Sequence, residues 1–289
     1  MSADSWQIFA FDHRDSFRRM LRGAIGSDAH ANAVAAKALV FDGFRAAMGI
    51  GDPVPGPAVL VDEQYASGFA EPARALGARV VIPVERSGQE ELQLEYADTW
   101  VAHVEAMAPD GVKALLRWDP DGDQALNRRQ GTVLAEVSLK MAARAIPLMV
   151  EVLTPAGPSS PARTDAIVRA IGQIQARDVE ATLWKIEGLD TTEGCEAVAE
   201  AIGAGGRTAT AIVLGRGVSL DTAVKWLEAA APVDRFNGFA IGKTVWQEPM
   251  EGVLRGQTPR EDGVAEIARR YRRLVDTWTT ARLGGRGRT

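Results

Sequence analysis

The stretch Ala181-Thr-Leu-Trp-Lys-Ile-Glu187 has the length and composition of a buried strand, with Gly188 behind it as punctuation. A lysine sits at its centre. Side chains alternate between the faces of a strand, so Lys185 shares one face with Leu183 and Glu187, while Trp184 and Ile186 take the other. If the tryptophan face packs under helices, Lys185 points to the interior side of a sheet. Desolvation there disfavours the ammonium, and a neutral amine can attack a carbonyl carbon. A structural lysine paired with a carboxylate at the sheet end is the plainer alternative.

Outward from this strand the same kind of apolar run recurs at 6–11, 58–61, 79–84, 111–118, 147–153, 209–214 and 239–241. Helices are expected between them over 16–22, 29–48, 71–76, 92–107, 127–145, 163–175, 191–202 and 219–230, with Ser219 as an N-cap. Two more are expected over 248–254 and 262–282. The 154–161 segment, rich in Pro, Gly and Ser, reads as a loop, and the tail from Gly284 as disordered. Eight strands alternating with helices, each strand a near-continuous apolar run, predict a single α/β domain over 1–283. Its architecture is a (β/α)8 TIM barrel. No G-x-G-x-x-G follows the first strand, which argues against a dinucleotide-binding sheet.

Composition narrows the partners. The 289 residues are 46% hydrophobic and 25% charged, the balance of a globular chain with a large core. A net charge of −5 argues against nucleic acid and against an anionic membrane surface. Cys195 is the single cysteine, so neither a disulfide framework nor a thiolate metal cluster is available. Nothing at the N-terminus resembles a signal peptide, and the cytosol is the expected compartment. Self-association into a homo-oligomer is left open. Lysines are scarce, at 37, 113, 140, 185, 225 and 243 only, which sets apart those in strands.

Polar residues collect where strands end. Asp12, Asp62, Glu85, Asp119, Glu151, Lys185 with Glu187, Arg216 and Lys243 all sit at or just past a strand C-terminus, and in a barrel those ends converge on one mouth. Lys113 lies deeper on its strand than Arg117. It either lowers the Lys185 pKa by like-charge repulsion or neutralises an interior carboxylate such as Glu151. Glu151 is placed to shuttle protons, and Asp12 to hold or deprotonate a substrate hydroxyl. Gly215-Arg-Gly217 and Gly242-Lys243 follow the last two strands, where loop amides, a helix start and a cation suit a phosphate. Of those cations, Arg216 is expected to matter more for orientation, its guanidinium being a planar fork. The histidines, at 13, 30 and 103, are scattered, so neither a metal nor a cofactor is expected, although carboxylates could hold Mg²⁺.

Several short motifs, in order, resemble the bacterial class I aldolases. They are Phe11-Asp-His-Arg14, Val61-Asp-Glu-Gln-Tyr65, Val84-Glu-Arg-Ser-Gly88, Met149-Val-Glu-Val-Leu-Thr154, Trp184-Lys-Ile-Glu187, Leu214-Gly-Arg-Gly-Val218 and Phe236-Asn-Gly-Phe-Ala-Ile-Gly-Lys-Thr-Val-Trp246. That group includes the tagatose 1,6-bisphosphate and sulfofructose-phosphate aldolases. The chain also resembles the aldolase-like domain fused behind the sugar kinase of myo-inositol catabolism, to which 2-deoxy-5-keto-gluconate 6-phosphate cleavage has been assigned. The resemblance implies Lys185 as Schiff-base lysine, Glu151 as proton shuttle, and Asp12 at substrate hydroxyls. His13, Arg14, Asp62, Glu85, Arg86 and Arg117 are expected around the substrate, with the last two loops on its phosphate. Departures are His13 where those enzymes often have Gln, Gly215-Arg-Gly217 for Ser-Ala-Gly, and Lys243 for Arg. The expected reaction is metal-independent cleavage of a phosphorylated keto sugar or keto sugar acid. A phosphosugar isomerase or epimerase, and a catalytically silent sugar-phosphate-binding module, are the alternatives.

Overall fold

Alternate positions along the strands fall into two separate apolar clusters, and that division makes the architecture. Ile8, Ala10, Ala58, Leu60, Val81, Met149, Leu183, Ile212 and Ala240 pack with one another in the barrel interior. Their neighbours Phe9, Val59, Ile82, Ala114, Val150, Trp184, Ile186, Val213 and Phe239 belong to the larger core between strands and helices. Two-residue periodicity with both faces apolar is what a parallel barrel demands.

The structure, a computed structural model, describes residues 5–27, 29–155 and 160–286. Its strands are β1 (Trp6–Ala10), β2 (Pro57–Leu60), β3 (Arg79–Pro83), β4 (Gly111–Arg117), β5 (Leu148–Leu153), β6 (Leu183–Glu187), β7 (Thr210–Leu214) and β8 (Phe236–Ile241). They pair in parallel in sequence order and close through β1 and β8 into a (β/α)8 TIM barrel. Closure is reinforced from outside. Trp246 donates its indole N–H to the Ala10 carbonyl at 2.9 Å, and Tyr271 its hydroxyl to the Gln7 carbonyl at 2.7 Å.

Several boundaries differ from expectation, each for a local reason. Residues 92–96 are not helical: Glu85 and Leu94 form an isolated antiparallel bridge, and the helix begins only at Trp100–Met107 after one 3-10 turn. A short helix, Glu63–Ala66, follows β2, capped by the Asp62 carboxylate accepting from the Tyr65 amide. The helix expected from 248 starts at Lys243, and Pro249 is accommodated inside it. Ser219 caps Leu220–Ala230 as expected. The last helix, Arg260–Arg286, runs on through Gly284, and residues 287–289 lie outside the described ones. Within the expected 154–161 loop, residues 156–159 likewise lie outside them, and a helix, Ser160–Gln175, has begun by Pro161.

Candidate active site

Continuing the inward rows past their apolar members leads to ionisable groups. Ile8 and Ala10 lead to Asp12, Val81 leads through Pro83 to Glu85, Met149 to Glu151, and Leu183 to Lys185. Glu151 and Lys185 are register partners across β5 and β6, and Lys185 Nζ donates to Glu151 Oε2 at 2.9 Å. Lys113 is paired in register with Met149, one layer deeper. From there its ammonium reaches Asp12 at 2.7 Å, Glu85 at 2.8 Å and Glu151 at 3.3 Å. Asp12, Glu85, Lys113, Glu151 and Lys185 are all buried, yet they line a cavity of about 170 Å³ at the mouth.

The electrostatics follow from the contacts. Burial pushes the Asp12 and Glu151 carboxyls up, but the lysines outweigh it and hold both below the usual range. For Glu85 burial wins, and its pKa is raised. Burial works against the Lys113 ammonium as well, yet three carboxylates hold its pKa up. Lys113 is thus held among three carboxylates, with its hydrogen bond to Asp12 at 2.7 Å. Lys185 has one carboxylate partner at hydrogen-bond distance and shares it.

The other expected site residues divide. His13 lines the cavity beside Asp12, its Nδ1 3.9 Å from Asp12 Oδ1. Arg14 lines it too, with both terminal nitrogens spent on placing a loop: it donates to the Glu85 carbonyl at 2.8 Å and to Glu95 at 3.1 Å. Arg86 and Arg117 stand on the exposed rim, Arg117 3.6 Å from Glu90. Asp62 is corrected outright. It is fully buried against Lys37 at 2.8 Å and does not line the cavity, because its carboxylate is consumed by that pair and by the helix cap.

Nor do the residues expected on phosphate act as one group. Arg216 is bound to the Glu187 carboxylate through Nη1, in left-handed backbone at φ 44°, so one arm of its fork is already engaged. Gly217 and Lys243 line a second, more open cavity of about 780 Å³. Gly215 and Gly242 are packing positions: a Cβ on Gly242 would stand 2.1 Å from the Ala10 carbonyl oxygen, and one on Gly215 2.9 Å from Ile241. Lys243 opens the helix Lys243–Leu254, and burial and the charge of Arg19 lower its pKa. The sequence reading missed Thr244, also on the second cavity, whose buried hydroxyl has no hydrogen-bond partner. It missed Arg19, an exposed arginine lining the first cavity. Lys37 escaped notice as well, lying in a helix where its burial against Asp62 leaves no mark in the pattern.

Among the described residues, no group of three or more His, Cys, Asp or Glu side chains is arranged to hold a metal ion. No described helix is long and apolar enough to cross a membrane.

Known structures share the fold. The crystal structure of Cgl0159 from Corynebacterium glutamicum is 20% identical with a TM-score of 0.60, over 92% of this chain and 85% of that one. Fructose-bisphosphate aldolase from Plasmodium falciparum, solved in complex with TRAP and a small-molecule inhibitor, is 10% identical with a TM-score of 0.73, over 94% and 89%. No curated protein matches the chain. The family model described as "Uncharacterized protein conserved in bacteria (DUF2090)" matches residues 1–282, and the chain belongs to that family.

Proposed function

We propose that this barrel is a class I aldolase, with Lys185 as the nucleophile that forms a Schiff base with a phosphorylated keto sugar or keto sugar acid. One observation carries the reading: of two buried lysines at the mouth, Lys113 is held among three carboxylates, while Lys185 is bonded to a single carboxylate that can take its proton. Proton transfer from Lys185 to Glu151 gives an amine that attacks the ketone carbon. Glu151 then protonates the former carbonyl oxygen, takes a proton from the nitrogen, and protonates the hydroxyl so that water leaves and an iminium remains. The hydroxyl on the second carbon from the iminium gives its proton to Asp12. The carbon–carbon bond breaks, its electron pair neutralises the iminium to an enamine, and an aldehyde departs. Reprotonation and hydrolysis release the second product, such as dihydroxyacetone phosphate. The iminium is the electron sink, so the sequence of steps requires no metal.

For the phosphate we favour Lys243, the Thr244 hydroxyl and the first amides of the helix Lys243–Leu254, beside Gly217. The motif resemblance suggests 2-deoxy-5-keto-gluconate 6-phosphate as substrate. The deciding experiment is borohydride reduction with dihydroxyacetone phosphate, followed by mass mapping. The expected adduct is on Lys185 and is lost in Lys185→Met. An adduct on Lys113, or none at all, refutes the reading.

A further inference from the structure

Four of the buried polar atoms left without a hydrogen bond belong to residues lining the two cavities: His13 Nδ1, Arg14 Nε, Glu85 Oε2 and Thr244 Oγ1. Buried polar groups are nearly always satisfied, so unpaired ones at a cavity are candidate ligand contacts. His13 is the best prepared of them. Its carbonyl oxygen accepts from Lys37 Nζ at 2.9 Å, and Lys37 is itself fixed by the fully buried pair with Asp62. Its ring stands edge-on to Trp246, with centroids 5.4 Å apart and planes at 75°. Trp246 is tied in turn to the Ala10 carbonyl. On the β8 side, a Cβ at Gly242 would come within 3.1 Å of His13 Cε1, so the glycine leaves the imidazole its place. Backbone and ring are both held, while Nδ1 stays free.

We propose that His13 is a catalytic residue that donates a hydrogen bond from Nδ1 to the substrate hydroxyl deprotonated by Asp12, and to the aldehyde oxygen it becomes. The inference rests on the Schiff-base reading above. Nδ1 and Asp12 Oδ1 are 3.9 Å apart, too far for a bond to each other. That gap suits one bridging oxygen, since a hydroxyl placed about 2.8 Å from both atoms closes the triangle. A hydroxyl has one proton to give and lone pairs to receive, so it donates to Asp12 and accepts from His13. When the carbon–carbon bond breaks, the O–H proton passes to the Asp12 carboxylate and negative charge gathers on the oxygen. The imidazole N–H meets that charge without moving. Its neutrality is consistent with the surroundings: burial, together with Lys243, Lys37 and Lys185, outweighs Asp12 and brings the His13 pKa down to about 3. A neutral ring bearing its proton on Nδ1 is a donor there and cannot compete with Asp12 as the base.

The test separates the two steps. Iminium formation is read by borohydride trapping of dihydroxyacetone phosphate on Lys185, and carbon–carbon bond making by the rate of aldol addition with glyceraldehyde. Removing one preorganised oxyanion donor typically costs about 100-fold or more. His13→Ala should lower the addition rate about 100-fold and change the trapping rate by no more than about threefold. His13→Gln, whose amide can donate from a similar place, should recover part of the addition rate. Addition by His13→Ala at the wild-type rate, or an equal loss of trapping and addition in both variants, overturns the proposal. Absence of trapping in the wild-type protein would instead refute the Schiff-base reading on which it stands.

Discussion

Lys113 and Lys185 bind the same oxygen of Glu151, at 3.3 and 2.9 Å. One carboxylate oxygen thus stands between an ammonium that cannot leave its partners and one that can. Buried ion pairs add little net stability compared with a well-packed apolar core, so such a cluster calls for a use beyond holding the fold.

Lys113→Met removes the ammonium that pairs with Asp12, Glu85 and Glu151 together. Breaking a buried pair from one side costs about 3–5 kcal/mol, and a urea unfolding midpoint should fall accordingly. Lys185→Met leaves Lys113 on all three carboxylates, so it should cost less stability while abolishing trapping. Equal unfolding midpoints for the two variants would contradict this division.

Glu151→Gln keeps the size of the side chain but removes proton transfer. A positioned acid–base group contributes about 100- to 10,000-fold, and the turnover rate of a cleavable ketose phosphate should drop within that range. Product release should not become limiting, so single-turnover and steady-state rates should fall together.

For the anionic end of the substrate, Lys243→Ala should raise KM for the phosphorylated substrate about ten- to a hundred-fold, the worth of one charge-assisted contact. Thr244→Val should act in the same direction but less. Arg216→Ala should matter mainly through the loop, because its guanidinium already serves Glu187. Equal effects of Lys243→Ala on phosphorylated and unphosphorylated ketoses would place the phosphate elsewhere.

Glu85 makes a pH prediction. Its pKa is raised in the folded state by burial, so above the unfolded value of about 4.3 the native protein holds the proton more tightly. Stability therefore falls as pH rises from about 4.3 through the folded pKa. Asp12 and Glu151 have depressed pKa values and act in the opposite sense, with their contribution complete above the unfolded pKa and lost on acidification. Urea midpoints of Glu85→Gln should decline less between pH 5 and pH 8 than those of the wild type. Parallel curves would show that Glu85 stays ionised throughout.

The barrel was legible because a short, near-continuous apolar run is a local signal, repeated eight times between helical stretches. The inward direction of Lys185 followed from the alternation of side chains along a strand, once Trp184 was given the outer face. What escaped depends on three-dimensional pairing. Asp62 and Glu85 both end strands, and nothing near either one tells that Lys37, from a helix, claims the first. Arg216 looked free because its partner Glu187 sits on the preceding strand, 29 residues earlier. Thr244 was hidden by a misplaced helix start: the helix was expected from 248, although five residues of it precede that position.

The seam between β1 and the C-terminal part of the chain has a consequence during synthesis. Gln7 and Ala10 receive their outer hydrogen bonds from Tyr271 and Trp246, 264 and 236 residues later. At translation speeds of about 5–20 residues per second, β1 waits roughly 13–50 s before its final partner has been made. Until β8 is made, the first strand is an open edge of high apolar content, the kind of segment that pairs with a neighbouring nascent chain. The protein should therefore depend on chaperone supply at the ribosome far more than its finished barrel would suggest.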